Sequence, residues 1–107
     1  MATVAARLDF TYDRIQDLGL AVDEAFAQLL LIPDTARTLT VRLTPSEGRV
    51  VAYACTDAKP GPDAWPPPEV ESSLAWRVLS GLADQADFLL DEDGPAIRVT
   101  VEGRRDR

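Results

Sequence analysis

A carboxylate and an amide stand four residues apart in the first long apolar pattern of the chain. Glu24 and Gln28 occupy positions i and i+4, so a helix would bring both side chains to the same side. Such a pair could hold a magnesium ion or orient a water molecule for general base chemistry. A solvated polar helix face explains the same spacing, and the spacing alone favours that second interpretation.

Two further segments could contribute to a ligand site. Asp57 follows a predicted strand and precedes a loop that contains Gly61, where a carboxylate and a closely approaching backbone can bind a base or a ribose. Ser73 and Ala75 open a predicted helix, whose free backbone N–H groups favour anions. Ordinary turns and all helix starts share these features, so each segment is a weak signal by itself.

The elements that must position these residues begin with an amphipathic helix. Apolar residues at alternating steps of three and four predict a helix from Thr11 to Ile32. Thr11 or Asp13 can cap its start, and Pro33 ends it. Its buried stripe is expected to contain Ile15, Leu18, Val22, Ala25, Leu29 and Ile32.

A hairpin and a proline-rich loop follow the first helix. Alternating side chains predict strands at residues 39–44 and 49–56, joined by a turn at residues 45–48. The loop from Asp57 to Pro68 is rich in proline, and loops of this length in small domains tend to be functional or mobile.

A second helix and a second hairpin complete the pattern. The helix is predicted to begin near Glu71, with Ser72 or Ser73 as its cap. Its inner face is expected to contain Leu74, Val78, Leu79, Leu82 and Ala86. Strands at residues 88–90 and 97–101 then flank a tight turn. This order predicts an α+β two-layer sandwich with helices on one face of a largely antiparallel sheet. One domain is expected over residues 1–107, with residues 1–10 and 103–107 flexible.

Composition excludes several classes of function. The chain has 18 acidic and 11 basic residues, a formal net charge of −7, which disfavours direct nucleic-acid binding and suits a basic protein partner. Solubility alone explains this charge equally simply. With no histidine and a single cysteine, Cys55, a Ser-His-Asp triad, a disulfide framework and a usual zinc site are all excluded. No apolar run reaches the roughly 18–20 residues of a membrane helix, so we expect a cytoplasmic protein without membrane contacts.

In order and spacing, these segments resemble the anti-sigma regulatory factors and serine-protein kinases of the GHKL superfamily, the histidine-kinase-like ATPases. Residues 20–28, Leu-Ala-Val-Asp-Glu-Ala-Phe-Ala-Gln, are similar to the family's Ala-Val-x-Glu-Ala-x-x-Asn helix. The resemblance implies that Glu24 acts as the general base or positions it. It also implies that Gln28 stands where the family's Asn binds magnesium, with the same amide one methylene further out.

The nucleotide-binding boxes of the family are matched less well. Asp57 to Gly61 resembles the Asp-x-Gly-x-Gly box, which implies that Asp57 reads adenine and that Gly61 is the second glycine. Lys59 replaces the first glycine, and Ser73 and Ala75 replace both glycines of the family's Gly-Leu-Gly-Leu segment. Since glycine lets backbone N–H groups approach phosphates closely, these three losses argue against efficient catalysis.

The resemblance covers residues 8–102 and implies the histidine-kinase-like ATPase (Bergerat) fold without its first strand and helix, because only residues 2–12 precede the Glu24 helix. It implies a regulator of transcription that binds a sigma factor and is released by an antagonist protein, with a degenerate ATP site. The alternative is an active serine kinase that phosphorylates the antagonist. A detached piece of a sensor kinase is a third interpretation, although the chain has no phosphoacceptor histidine.

The same resemblance implies further expectations about ligands and assembly. ATP and magnesium are cofactors only if the pocket still binds them. The shortened start would leave a sheet edge and part of one face uncovered, so we expect a homodimer. We also expect Glu24 and Gln28 to face a groove bordered by the loop from Asp57 to Pro68.

Overall fold

The computed structural model describes residues 11–32, 38–60, 65–66, 73–92 and 94–103. Within these residues the chain forms two helices and four strands, which are α1 (Tyr12–Leu30), β1 (Leu39–Ser46), β2 (Arg49–Thr56), α2 (Leu74–Leu82), β3 (Gln85–Asp91) and β4 (Gly94–Glu102). The element order and the α+β class are those predicted from the sequence, and both predictions are confirmed.

The four strands form one sheet in the order β1-β2-β4-β3, and every neighbouring pair is antiparallel. A two-residue turn at Glu47 and Gly48 joins β1 to β2, and Gly48 has a φ of 75°, which favours glycine. The register aligns apolar residues of the two central strands in rows, which are Val50 with Val101, Ala52 with Val99 and Ala54 with Ile97. These rows are buried, and α1 packs on β2 and β4.

Helix α1 places its apolar stripe in the core, as its spacing predicts. Leu18, Val22, Ala25, Leu29 and Ile32 are buried, and Ile15 packs against them. Thr11 caps the helix, because its side-chain oxygen accepts a hydrogen bond of 3.3 Å from the backbone N–H of Arg14. The prediction of this helix and of its cap is confirmed.

Helix α2 turns only part of its predicted inner face to the core, and Leu79 and Leu82 lie there as predicted. Leu79 is buried, and Trp76 and Leu82 are partly buried. Leu74 is 75% exposed and Val78 is 37% exposed, so the prediction that both lie on the inner face is wrong. The helix carries apolar residues on two sides, and only packing against the sheet selects between them.

The end of α2 also differs from the prediction, because Ala86 lies in β3 and not on the helix. The chain leaves the helix after Leu82 because Asp84 is held by the sheet. Its backbone N–H donates to the Thr100 carbonyl at 2.8 Å, and its carboxylate accepts a hydrogen bond of 2.7 Å from the backbone N–H of Glu102. Two bonds to β4 therefore start the last hairpin several residues earlier than the alternation of side chains suggests.

Two described residues in segments expected to be irregular contact the sheet, and these are Trp65 and Gly103. Trp65, in the proline-rich loop, is buried, stacks on Phe88 with ring centroids 5.4 Å apart, and donates from its indole nitrogen to the Leu89 carbonyl at 2.7 Å. Gly103, expected in the flexible tail, is buried, and its N–H donates to the Gly48 carbonyl at 2.8 Å. The expectations for residues 1–10 and 104–107 lie outside the described residues.

In the described parts of the chain, no helix is both long and apolar enough to cross a membrane.

Candidate functional site

Glu24 and Gln28 lie in contact on the surface of α1. The Gln28 amide nitrogen donates a hydrogen bond of 2.8 Å to Oε2 of Glu24, and both residues are half-buried. The i, i+4 spacing of the two residues on α1 accounts for this contact. Glu24 already accepts one hydrogen bond from within its own helix, and a ligand would have to share or displace it.

A groove of about 530 Å³ separates the two helices beside Glu24. Leu20, Asp23 and Glu24 line it from α1. The residues that line it from α2 are Arg77, Val78, Gly81 and Leu82. Neither Gln28 nor the described residues of the 57–68 loop line this groove, which therefore differs from the groove expected beside that loop.

The two helices run in opposite directions along this groove. Arg14, in the first turn of α1, donates a hydrogen bond to the carbonyl of Leu82, the last residue of α2. Further along α1, Glu24 shares the groove with Arg77 and Val78, which precede Leu82 by four and five residues. The start of α2 therefore points toward the end of α1.

The remaining predicted site residues make contacts within the chain. Oδ1 of Asp57 accepts a hydrogen bond of 2.7 Å from the backbone N–H of Thr38. The side-chain oxygen of Ser73 accepts one of 3.1 Å from the backbone N–H of Trp76 and caps α2. Ala75 is half-buried in the first turn of α2. Gly61 lies outside the described residues.

Several observations on the described residues concern the binding of a nucleotide or magnesium. The side-chain oxygen of Ser73 accepts the hydrogen bond of a backbone N–H at the start of α2. An anion bound at the start of the helix would use that same donor. The candidate ligands for magnesium are the amide oxygen of Gln28 and the carboxylate of Glu24. No group of three or more His, Cys, Asp or Glu residues that could hold a metal ion occurs among the residues that the structure describes.

Sequence reasoning missed the buried arginine that joins these elements. Arg14 is only 4% exposed and forms ion pairs of 2.6 Å with both Asp17 and Asp84. Its Nε donates to the Glu102 carbonyl at 2.9 Å, and its Nη1 donates to the Leu82 carbonyl at 3.3 Å. The available signal was an arginine on the apolar stripe, one turn before Leu18. The sequence could not identify its partner, because the carboxylate of Asp84 is 70 residues away in the chain.

Sequence reasoning also missed the part of the groove that α2 supplies. Val78 was predicted to lie on the inner face of the second helix, and Arg77 and Gly81 belonged to none of the motifs. The signal that could have found the groove is Leu20, an apolar residue on the polar side of α1 and 54% exposed. A single exposed leucine is common on protein surfaces, so the sequence marks this groove only when Leu20 is considered together with the exposed Val78.

Comparison with known proteins gives one consistent similarity. The chain is 33% identical over 97 residues to the anti-sigma-F factor RsbW of Mycobacterium tuberculosis, in the strains CDC 1551 / Oshkosh and H37Rv. The alignment covers 89% of this chain and 54% of each relative, so the chain spans about half the length of the curated relatives it matches. No family model matches the chain. The similarity supports a relationship to anti-sigma regulators.

Proposed function

We propose that this chain is an anti-sigma-factor-like regulator of transcription that acts by binding other proteins and carries a degenerate ATP site. The observation that carries the proposal is the similarity to an anti-sigma-F factor over 89% of the chain. The α+β architecture, with Glu24 on a helix that packs on an antiparallel sheet, is compatible with a histidine-kinase-like ATPase fold. One domain would then account for all of its elements.

The proposed partners are a sigma factor and an antagonist protein that compete for the chain by partner switching. Both act on transcription, so the proposed location is the cytoplasm. The test is to titrate each purified sigma factor of the source cell against the chain by calorimetry. We expect one of them to bind with micromolar or better affinity, about −8 kcal/mol or more favourable. Binding by none of them contradicts the proposal.

The degenerate site is supported by the side chains that replace glycine. Ser73 caps α2 with its own oxygen, and Lys59 and Ala75 take positions that the resembled family fills with glycine, whose bare backbone binds phosphate. Asp57 could still accept a hydrogen bond from adenine, but one such bond contributes only about 0.5–1.5 kcal/mol. We therefore expect ATP with magnesium to bind more weakly than about 0.1 mM, near −5.5 kcal/mol.

One contact is compatible with the alternative of an active serine kinase. Glu24 and Gln28, proposed as general base and magnesium ligand, lie within hydrogen-bond distance of each other at 2.8 Å. Calorimetry with ATP and magnesium separates the two functions when it is combined with a phosphorylation assay on the antagonist. Micromolar ATP affinity together with phosphate transfer to a serine establishes the kinase and removes the purely binding role.

A homodimer is also part of the proposal. Strand β1 lies at one edge of the sheet, and Val41 on it is 37% exposed beside the half-buried Leu39 and Leu43. Burying such a face in a dimer stabilises the dimer by about 25 cal/mol per Å² of apolar area. We expect light scattering to give a dimer at concentrations on the order of tens of micromolar, and Val41→Asp to shift it toward monomer. A stable wild-type monomer contradicts this assembly.

A further inference from the structure

The groove between α1 and α2 has an apolar floor that the described residues leave open. Leu20 is 54% exposed on one wall and Val78 is 37% exposed on the other. A methyl group built at Gly81 would meet no other atom within 4 Å, so the α2 wall is low at that point. Leu74 lies one turn before Val78 on the same side of α2 and is 75% exposed, which extends the apolar surface toward the start of α2.

The rims of this groove carry opposite charges that do not pair with each other. Asp23 and Glu24 lie on the α1 rim, and Arg77 lies on the α2 rim. Among the described residues, neither Asp23 nor Arg77 forms an ion pair, and Glu24 is bonded to the neutral amide of Gln28. The α1 rim is therefore a pair of carboxylates available to cationic groups, and it repels phosphates.

The apolar floor and the charges of the groove together indicate which partner it binds. Two antiparallel helices with exposed apolar residues at one-turn spacing form a surface that accepts the apolar face of a third helix. The two carboxylates on the α1 rim favour arginine or lysine beside that apolar face. A net charge of −7 on the whole chain adds to the preference for a basic segment.

We propose that this groove is the docking site for a basic amphipathic helix of a partner protein. This inference rests on the proposed protein-binding function and deepens it, because it states where the partner binds and which chemistry it presents. Leucine-like side chains of the partner helix fill the space over Leu20, Val78 and Gly81. Its basic side chains pair with Asp23 and Glu24.

The test uses two synthetic helical peptides of about 18 residues, five helical turns. Both carry the same stripe of leucines at i, i+3, i+4 and i+7, flanked by arginines in one peptide and by glutamates in the other. We expect the arginine peptide to bind at least about tenfold more tightly than the glutamate peptide in fluorescence anisotropy. Equal affinity of the two peptides, or no saturable binding of either below about 1 mM, overturns the proposal.

Matched substitutions place the peptide on the molecule. Val78→Asp is expected to weaken binding of the arginine peptide at least about tenfold, whereas Leu90→Asp, at an exposed residue of β3 outside the groove, leaves the affinity unchanged. Asp23→Lys is expected to weaken binding of the arginine peptide several-fold more than Glu47→Lys, which makes the same charge change in the turn between β1 and β2. Circular dichroism checks that each variant is folded, and equal effects within either pair overturn the assignment.

Other occupants give different results. Competition of ATP with the arginine peptide at micromolar concentration would assign the groove to a nucleotide, and loss of self-association in Val78→Asp would assign it to a second copy of the chain. Either result overturns the proposal. If a sigma factor binds and Val78→Asp leaves its affinity unchanged, the docking site is wrong and the proposed function stands. If no sigma factor binds while the peptide results hold, the proposed function is wrong and the docking site stands.

Discussion

At the scale of single residues, Arg14 joins three elements from a buried position. Arg14→Ala would leave the carboxylates of Asp17 and Asp84 without their cation. We expect it to lower the free energy of unfolding by about 3 kcal/mol, the low end of the range for breaking a buried ion pair, because these carboxylates keep 29% and 21% of their side-chain exposure. Denaturation in guanidinium chloride, followed by tryptophan fluorescence, measures this loss.

A matched control is Arg98, whose ion pair with Asp87 spans 3.0 Å on the exposed side of the sheet. Its side chain is 44% exposed, so solvent screens the pair and Arg98→Ala should cost less than about 1 kcal/mol. Similar losses for the two arginines would show that burial does not govern the contribution of Arg14.

Two glycines should respond in opposite directions to the same substitution. Gly94 has a φ of 128°, and a methyl group there would collide with the Thr56 carbonyl oxygen, so Gly94→Ala is expected to destabilise by about 1–3 kcal/mol or more. Gly19 lies inside α1 with open space around its Cα, so Gly19→Ala is expected to stabilise by up to about 1 kcal/mol. Thermal unfolding of both variants checks the pair, and destabilisation by Gly19→Ala would contradict it.

At the scale of elements, the sequence predicts a helix or strand best where its hydrophobic pattern allows a single arrangement. The stripe of α1 has a single apolar side, and the limits of β2 are those predicted, because hydrophobic period and turn residues agree. The nine-residue α2 has apolar residues on two sides, so its period could not decide whether Leu74 or Trp76 faces the core. The contact between Glu24 and Gln28 was predictable because the two residues are four positions apart on one helix. The contacts of Arg14 were not, because they join residues up to 88 positions apart.

The start of α2 offers a test of why the ATP site should be weak. Lys59→Gly, Ser73→Gly and Ala75→Gly combined, together with Gln28→Asn, restore the residues of the resembled family. If lost backbone access weakens ATP binding, this variant should bind ATP with magnesium at least about tenfold more tightly than the wild type. Calorimetry measures the difference.

The control for this variant must account for the lost helix cap. Ser73→Ala removes the hydrogen bond to the Trp76 N–H without adding backbone freedom, and should cost about 1 kcal/mol of stability with no gain in ATP affinity. A gain in Ser73→Ala equal to that of the combined variant would assign the effect to the serine oxygen and not to the missing glycines.

At the scale of the whole molecule, net charge is the property that the sequence establishes without any fold. The chain carries a net charge of −7, and two of its carboxylates lie on the α1 rim of the groove. Long-range attraction of a basic partner acts before contact, so it raises the association rate more than it slows dissociation. The screening length is about 10 Å at 0.1 M salt and about 3 Å at 1 M, so salt removes this attraction while the apolar contacts persist.

We therefore expect the association rate of the chain with a basic partner, or with the arginine peptide, to fall at least about tenfold between about 0.05 M and 1 M sodium chloride. The dissociation rate should change several-fold less, because burial of the leucine stripe against Leu20 and Val78 does not depend on screening. Stopped-flow fluorescence at a series of salt concentrations separates the two rates. Asp23→Lys should flatten the salt dependence of the association rate, since it reverses a charge at the groove itself. A wild-type association rate that does not change with salt would mean that charge does not guide the partner to this face.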